Sequence, residues 1–210
     1  MKIKIIYLAI ASLFILGSCK KDIKDKDNTS PLSFQVQTKN PTSGVVQWTT
    51  GTAHAVSITA ITPSATESNY NSSINQDMNL FAVSGIGNLA LPLGSYPNIQ
   101  FRIQLSPNAA GSALHLEGIF DDGTSMIPLI FDISDETVLQ AISNNLDVAA
   151  GSSYKVSVSI DLDALTQGIM ASDLMNEEVN GQVMISPLSN PATYDAILSN
   201  LAGSLSVTVQ

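Results

Sequence analysis

The 210-residue chain is poor in the residue types from which most functional sites are built. A single cysteine excludes a disulfide scaffold, and with only two histidines a Cys/His zinc site cannot be assembled. Basic side chains number 9 against 18 acidic ones, too few to neutralise a phosphate backbone, so nucleic acid is excluded as a partner. The one long apolar run, residues 5–16, would rise about 18 Å as a helix, short of the ~30 Å hydrocarbon core of a bilayer, so it makes no stable span. There is no Gly-x-Ser-x-Gly elbow, no glycine-rich phosphate loop and no His-Glu-x-x-His helix. What the chain has in ordinary measure is apolar residues. At 44% they are enough for a packed core and too many for a disordered chain. Length allows one domain, or two small ones.

The N-terminus carries the clearest signal. Lys2 and Lys4 precede the apolar run, and Gly17-Ser18-Cys19 follow it. A basic start, a short apolar centre and small residues at the end make a secretory signal. With the only cysteine directly after Leu16-Gly17-Ser18, this segment resembles the lipobox of bacterial lipoproteins. The resemblance implies a signal peptide over residues 1–18, cleavage before Cys19, and acyl chains on the Cys19 thiol. Each buried methylene contributes about 0.8 kcal/mol, so two or three chains on one residue hold a protein at a membrane. Residues 20–27 alternate lysine and aspartate around Ile23, and residues 19–30 read as a lipidated cysteine and a solvated tether. The tether would reach at most roughly 35–40 Å. Position two after cleavage is Lys20, not the aspartate that retains lipoproteins at the inner membrane in some bacteria. The lysines and aspartates after Cys19 also resemble the export signal of surface lipoproteins. The expected location is the outer membrane, facing the cell surface, with its periplasmic face as the alternative.

Residues 31–210 read as one domain. Only Lys39, Arg102 and Lys155 are basic there against fifteen acidic residues, a net charge of −12 that repels anionic polymers. Serine, threonine and asparagine total 56, twice the 27 charged residues, as suits an exported β-protein. Period-two alternation predicts strands over 99–105, 114–120, 127–131 and 154–160, each with one apolar face. Asp121-Asp122-Gly123-Thr124 supplies a tight reversal between the second and third. Pro128 argues for an edge or a bulge, because it cannot donate to a ladder. Weaker strands cover 32–38, 45–49, 53–61, 138–142, 183–186 and 205–209. Helical stretches fit 163–167 and 193–201, with Asp163 and Thr193 near their starts. The expected fold is all-β: a two-sheet antiparallel β-sandwich with one or two short helices.

Two segments carry a second resemblance. Residues 47–53, Gln-Trp-Thr-Thr-Gly-Thr-Ala, lead into an alternating strand, and Leu91-Pro92-Leu93-Gly94-Ser95-Tyr96 leads into another. This resembles uncharacterised bacterial surface lipoproteins with a transthyretin-like (prealbumin-like) sandwich domain, which share a Leu-Pro-x-Gly-x-Tyr turn. Leu93 stands where that family has alanine. The resemblance implies a transthyretin-like or immunoglobulin-like sandwich and no known activity. Physically, Pro92 fixes φ, Gly94 permits the bend, and Tyr96 can cover the core while its hydroxyl reaches backbone.

Candidate chemistry is sparse. His115 and Glu117 share a strand face and could act as acid and base or as half a metal site; solvated strand residues are the plainer reading. His54 stands near a strand start. Asp121-Asp122 and Asp161-x-Asp163 offer oxygens to calcium but lack EF-hand spacing, and read more simply as a turn and a helix cap. Asp173, Glu177 and Glu178 read as a solvated face. Trp48, Tyr70 and Tyr194 are the aromatic candidates for stacking on a sugar. The sequence thus implies no catalytic residue, metal or cofactor. The function it supports is a lipid-anchored, non-enzymatic lipoprotein that binds or displays a glycan or protein ligand. The alternative is a structural subunit or anchor of a surface filament or envelope complex, with the C-terminal strand as an edge for a donated strand.

Overall fold

The computed structural model describes residues 28–43, 45–63, 68–175 and 178–210; the signal segment, Cys19 and the charged run 20–27 lie outside them, and the end of the expected tether is corrected, since Thr29 and Ser30 already belong to the first strand, with Ser30 buried and donating to the Ala149 carbonyl. The strands in chain order begin with β1 (Thr29–Lys39), β2 (Thr42–Ser43), β3 (Val46–Thr62), β4 (Ser68–Asn79) and β5 (Ser84–Pro92). They continue with β6 (Gly94–Leu105), β7 (Leu114–Asp121), β8 (Met126–Ile133), β9 (Thr137–Val148) and β10 (Tyr154–Asp161). Helices α1 (Leu162–Leu165) and α2 (Ala171–Met175), strands β11 (Glu178–Val179) and β12 (Gln182–Ile185), helix α3 (Pro191–Ser204) and strand β13 (Leu205–Val209) complete the chain.

The fold is an all-β sandwich of two sheets. One has four strands in the order β13-β10-β1-β5. The other is organised by β3, whose 17 residues would span about 56 Å if straight. Its first half pairs with β7 (Val46 with Phe120, Ala53 with Leu114). Its second half pairs with β6 (Ala55 with Leu105, Ile61 with Gln100). β4 runs along residues 52–62 and therefore occupies the opposite edge, so β6 and β7 abut end to end on one side of β3. From there β8, β12 and β11 fan out beyond β7, and β9 lies beyond β6. Register shifts at Trp48/Thr50 and Ala55/Ser57 mark bulges, the usual means of bending a strand that serves two directions.

Each half of the long sheet is covered differently. The four-stranded sheet lies over the β6 half, where Phe34 on β1 meets Phe101 on β6 edge to face at 5.4 Å. Helices cover the β7 half, where Tyr194 on α3 packs on Phe131 of β8 at 5.8 Å. Asn200 on α3 ties the helices together by donating to the Leu165 and Gln167 carbonyls. One continuous core joins both halves, with Phe34, Phe101, Phe120 and Phe131 all enclosed. Each such side chain contributes on the order of 1.5–3 kcal/mol relative to exposure.

The alternating segments become the central strands β6, β7, β8 and β10, as their periodicity predicts. Four features differ from expectation. Two pairings are parallel, β1 with β10 and β12 with β8, so both sheets are mixed, although most pairs are antiparallel. The separate strands expected at 45–49 and 53–61 are one strand, because the bulges keep it paired through Gly51 and Thr52. Polar β4 and glycine-containing β5 carry too little apolar alternation to be read. Finally, there are three helices among the described residues, and Asp161, not Asp163, caps α1 by accepting from the Asp163 and Ala164 amides. Pro128 fits its local context: β12 pairs with β8 only from Leu129 onward, so the proline has a ladder on one side.

Candidate functional site

The polar constellation with most chemical content lies on the solvent side of β7 and β8. The hairpin they form places His115 directly opposite Asp132. His115 Nδ1 lies 2.7 Å from Asp132 Oδ1, and its Nε2 lies 3.0 Å from Glu117 Oε1. Ser112 Oγ donates to the same Asp132 oxygen at 2.8 Å. The result is a linear Glu117–His115–Asp132–Ser112 chain, with the imidazole spanning two carboxylates. Burial pushes the imidazole pKa down, but the hydrogen bonds to Glu117 and Asp132, and their charges, outweigh it and leave the pKa raised above 6.5. A charged ring donates from both nitrogens at once; a neutral ring can satisfy only one carboxylate and turns a lone pair toward the other.

This arrangement holds a proton well but is poorly formed for catalysis. Both ring nitrogens are engaged, and the neighbouring Ser112 hydroxyl is spent on Asp132 rather than facing Nε2. Because the carboxylates contact opposite sides of the ring, the three groups do not converge on a point where a cation could sit. No cluster of three or more His, Cys, Asp or Glu suited to a metal is present among the described residues. His54, on β3, pairs separately with Asp77 of β4 at 2.8 Å.

The acidic pairs are structural. Asp122 accepts from the Thr124 and Ser125 amides and the Thr124 hydroxyl at 2.6–2.7 Å, closing the β7–β8 turn. Those bonds lower its pKa to about 2. Gly123, with φ of 88°, supplies the left-handed position of that turn. Asp161 is occupied by the α1 amides, by Asn40 and by Lys39 at 3.5 Å. Asp173 accepts from the Met170 amide near the start of α2, and Glu177 lies outside the described residues.

Of the three aromatic candidates for sugar stacking, two are corrected. Trp48 is 2% exposed and Tyr194 6%, so neither offers a face to solvent. Trp48 packs over Gly118 of β7, and its indole Nε1 has no hydrogen-bond partner among the described residues. Tyr70 is half-buried on β4. It stands near Tyr96, whose pKa is raised by burial first and then by Tyr70. The Tyr96 hydroxyl donates to the Pro92 carbonyl at 2.7 Å, so the Leu-Pro-x-Gly-x-Tyr turn is a self-contained conformational lock.

Sequence reasoning missed Asp132 and Ser112. The first was within reach: the Asp122-Gly123 turn fixes a hairpin register in which 121 faces 126, and therefore 115 faces 132. The outer sheet faces were also unread. There, Gln37 of β1 donates to Ser159 of β10, Thr59 pairs with Asn71, and Arg102 donates to Gln140 at 2.8 Å, while the neighbouring Gln35–Ser157 bond is buried. These amide and hydroxyl rows carry little charge. No helix among the described residues is long and apolar enough to cross a membrane. Comparison with protein families, with curated proteins and with solved structures finds no match to this chain.

Proposed function

We propose that the chain is a lipid-anchored, non-enzymatic envelope lipoprotein, held by acyl chains on Cys19 at the outer membrane with its domain at the cell surface. The observation that carries this reading is the order of segments. A basic and apolar leader ends at Leu16-Gly17-Ser18-Cys19, and the first residue of β1, Thr29, follows ten positions later. Such an order presents a folded domain close to a lipid surface. The resemblance to surface lipoproteins with transthyretin-like domains supports the same reading. The partly exposed, uncharged side chains of Gln37 and Ser159 on one sheet and Thr59 and Asn71 on the other suit a neutral hydroxylated polymer, such as a glycan, better than an ionic ligand, and the net charge of −12 opposes anionic ones.

Radiolabelled palmitate should enter the wild-type chain and not Cys19→Ser, and only the wild type should fractionate with membranes. Surface protease on intact cells should then remove the domain. An unlabelled wild type, or Cys19→Ser that stays with the membrane, overturns the anchor. Binding of the detergent-extracted chain to a neutral-glycan array tests the ligand class separately.

A further inference from the structure

The chain enters the domain at one end of the sandwich, where several segments meet. The Leu93 amide donates to the Asn28 carbonyl, Thr29 pairs with Pro92 on β5, and Gly94 on β6 pairs with Val148 on β9. The Ser30 hydroxyl donates to the Ala149 carbonyl, which brings the β9–β10 loop alongside. Of the described residues forming this end, 28–31, 92–98 and 145–155, only Asp147 and Lys155 carry charged side chains, and the two cancel. Acid is concentrated elsewhere. Asp161 lies at the other end of β10, about 23 Å along the strand from Tyr154, and Glu136 precedes β9, about 40 Å from Val148. The β7–β8 turn, with Asp121 and Asp122, stands opposite the first residues of β3, whose last residues point back toward the neutral end. Three of the four tyrosines in residues 31–210 gather near the neutral end, all half-buried. Tyr96 donates to the Pro92 carbonyl, Tyr154 donates to the Asp147 carbonyl, and Tyr70 stands beside Tyr96.

We propose that this end of the domain rests on the lipid headgroups of the leaflet that holds the acyl chains, so that the sandwich stands upright on the membrane instead of swinging from it. The inference deepens the reading above and rests on acylation of Cys19. Nine residues lead from Cys19 to Asn28 and reach at most roughly 32 Å, so this is the end that the anchor brings to the lipid. A tether of that length would also let the domain tip over, and charge decides which side stays down. At physiological salt, screening confines the repulsion of an anionic surface to ~8 Å. An upright domain keeps Asp161, Glu136 and the β7–β8 turn beyond that distance, whereas a domain lying on its side brings acidic groups within it. Residues 20–27, with four lysines against three aspartates, add no repulsion of their own. The contact chemistry agrees. Leu93, Pro97, Ala149 and Ala150 are exposed and uncharged. A groove of about 620 Å³ opens between Thr29–Pro31 and residues 150–153, room for a headgroup. Half-buried tyrosines, apolar in the ring and polar at the tip, suit such a boundary.

The test uses the full acylated chain in vesicles of phosphatidylethanolamine and phosphatidylglycerol. Acylation occupies the Cys19 sulfur, so an introduced cysteine is the only free thiol for a fluorescent label. Spin-labelled headgroups should quench a label at Leu93→Cys or Ala150→Cys at least threefold more than one at Met126→Cys, an exposed position just past the β7–β8 turn. Adding Ser95→Glu and Ser153→Glu to Leu93→Cys should at least halve the quenching at residue 93 with an unchanged melting temperature. A chain that fails to float with the vesicles overturns the anchor and this inference with it. A chain that floats, but whose labels at 93 and 150 are quenched no more than the label at 126, overturns this inference alone. So does quenching that the double substitution leaves intact.

Discussion

Gly118 sits directly opposite Trp48 in the β3–β7 ladder, at the bulge that lets β3 bend. A methyl group built on Gly118 would lie 2.7 Å from the Gln47 carbonyl oxygen, 3.1 Å from Trp48 Cε3 and 3.2 Å from Trp48 Cα. Two of those three atoms are backbone, so the ring cannot relieve the clash simply by turning. Overpacking of this kind costs about 1–3 kcal/mol. For a domain of this size each kcal/mol lowers Tm by about 2–4 °C, so Gly118→Ala should melt roughly 2–12 °C below the wild type. Circular dichroism reads the melt. Trp48, the single tryptophan, reports on the site by fluorescence, and its emission should shift with the substitution. Because the backbone contacts dominate, Trp48→Phe should recover little of the loss when combined with Gly118→Ala. A Gly118→Ala protein within 0.5 °C of the wild type, or one fully rescued by Trp48→Phe, refutes this account of the ladder.

The Glu117–His115–Asp132 chain makes stability depend on pH. Its imidazole pKa is raised above 6.5, so the ion pairs stabilise the fold fully below about pH 6.5, and that stability is lost as pH rises through the folded value. His115→Gln should flatten the Tm profile above pH 6, and Asp132→Asn should lower the imidazole pKa read by NMR titration; a profile unchanged by His115→Gln contradicts the assignment. Asp122 acts with the opposite sign. Its folded pKa, about 2, lies below its ordinary value of 3.8, so its contribution is present above pH 4 and fades as pH falls toward 2. Asp122→Ala should lower Tm at neutral pH and reduce the loss of stability between pH 4 and 2, measured by acid titration of the circular dichroism signal.

What could be read in the sequence was set by how completely one face of each strand is buried. β6, with Ile99, Phe101, Ile103 and Leu105 enclosed and Gln100, Arg102 and Gln104 turned outward, declares itself by alternation alone. β4 does not, since in its run of Ser, Asn, Tyr and Gln only Met78 is fully buried; its place depends on β3 beside it. The parallel pairs were equally hidden, because β1 and β10 meet across 121 or more residues of chain and no local turn records the pairing. At the site, His115 and Glu117 were visible as a spacing, but their meaning came from Asp132, which a register carried through the turn would have supplied. Trp48 and Tyr194 show the reverse failure. Aromatic identity suggests a platform, and only packing reveals that the ring is enclosed.

The position of β1 has a mechanical consequence. It is an inner strand, laddered to β10 on one side over Leu32 to Lys39 and to β5 on the other over Thr29 to Val36. Tension applied through the preceding chain therefore acts along the strand axis and loads both rows in shear, so many bonds must yield together rather than one after another. A domain hung from this end would resist drag far better than one suspended by a peripheral strand such as β13, which has a single row to peel.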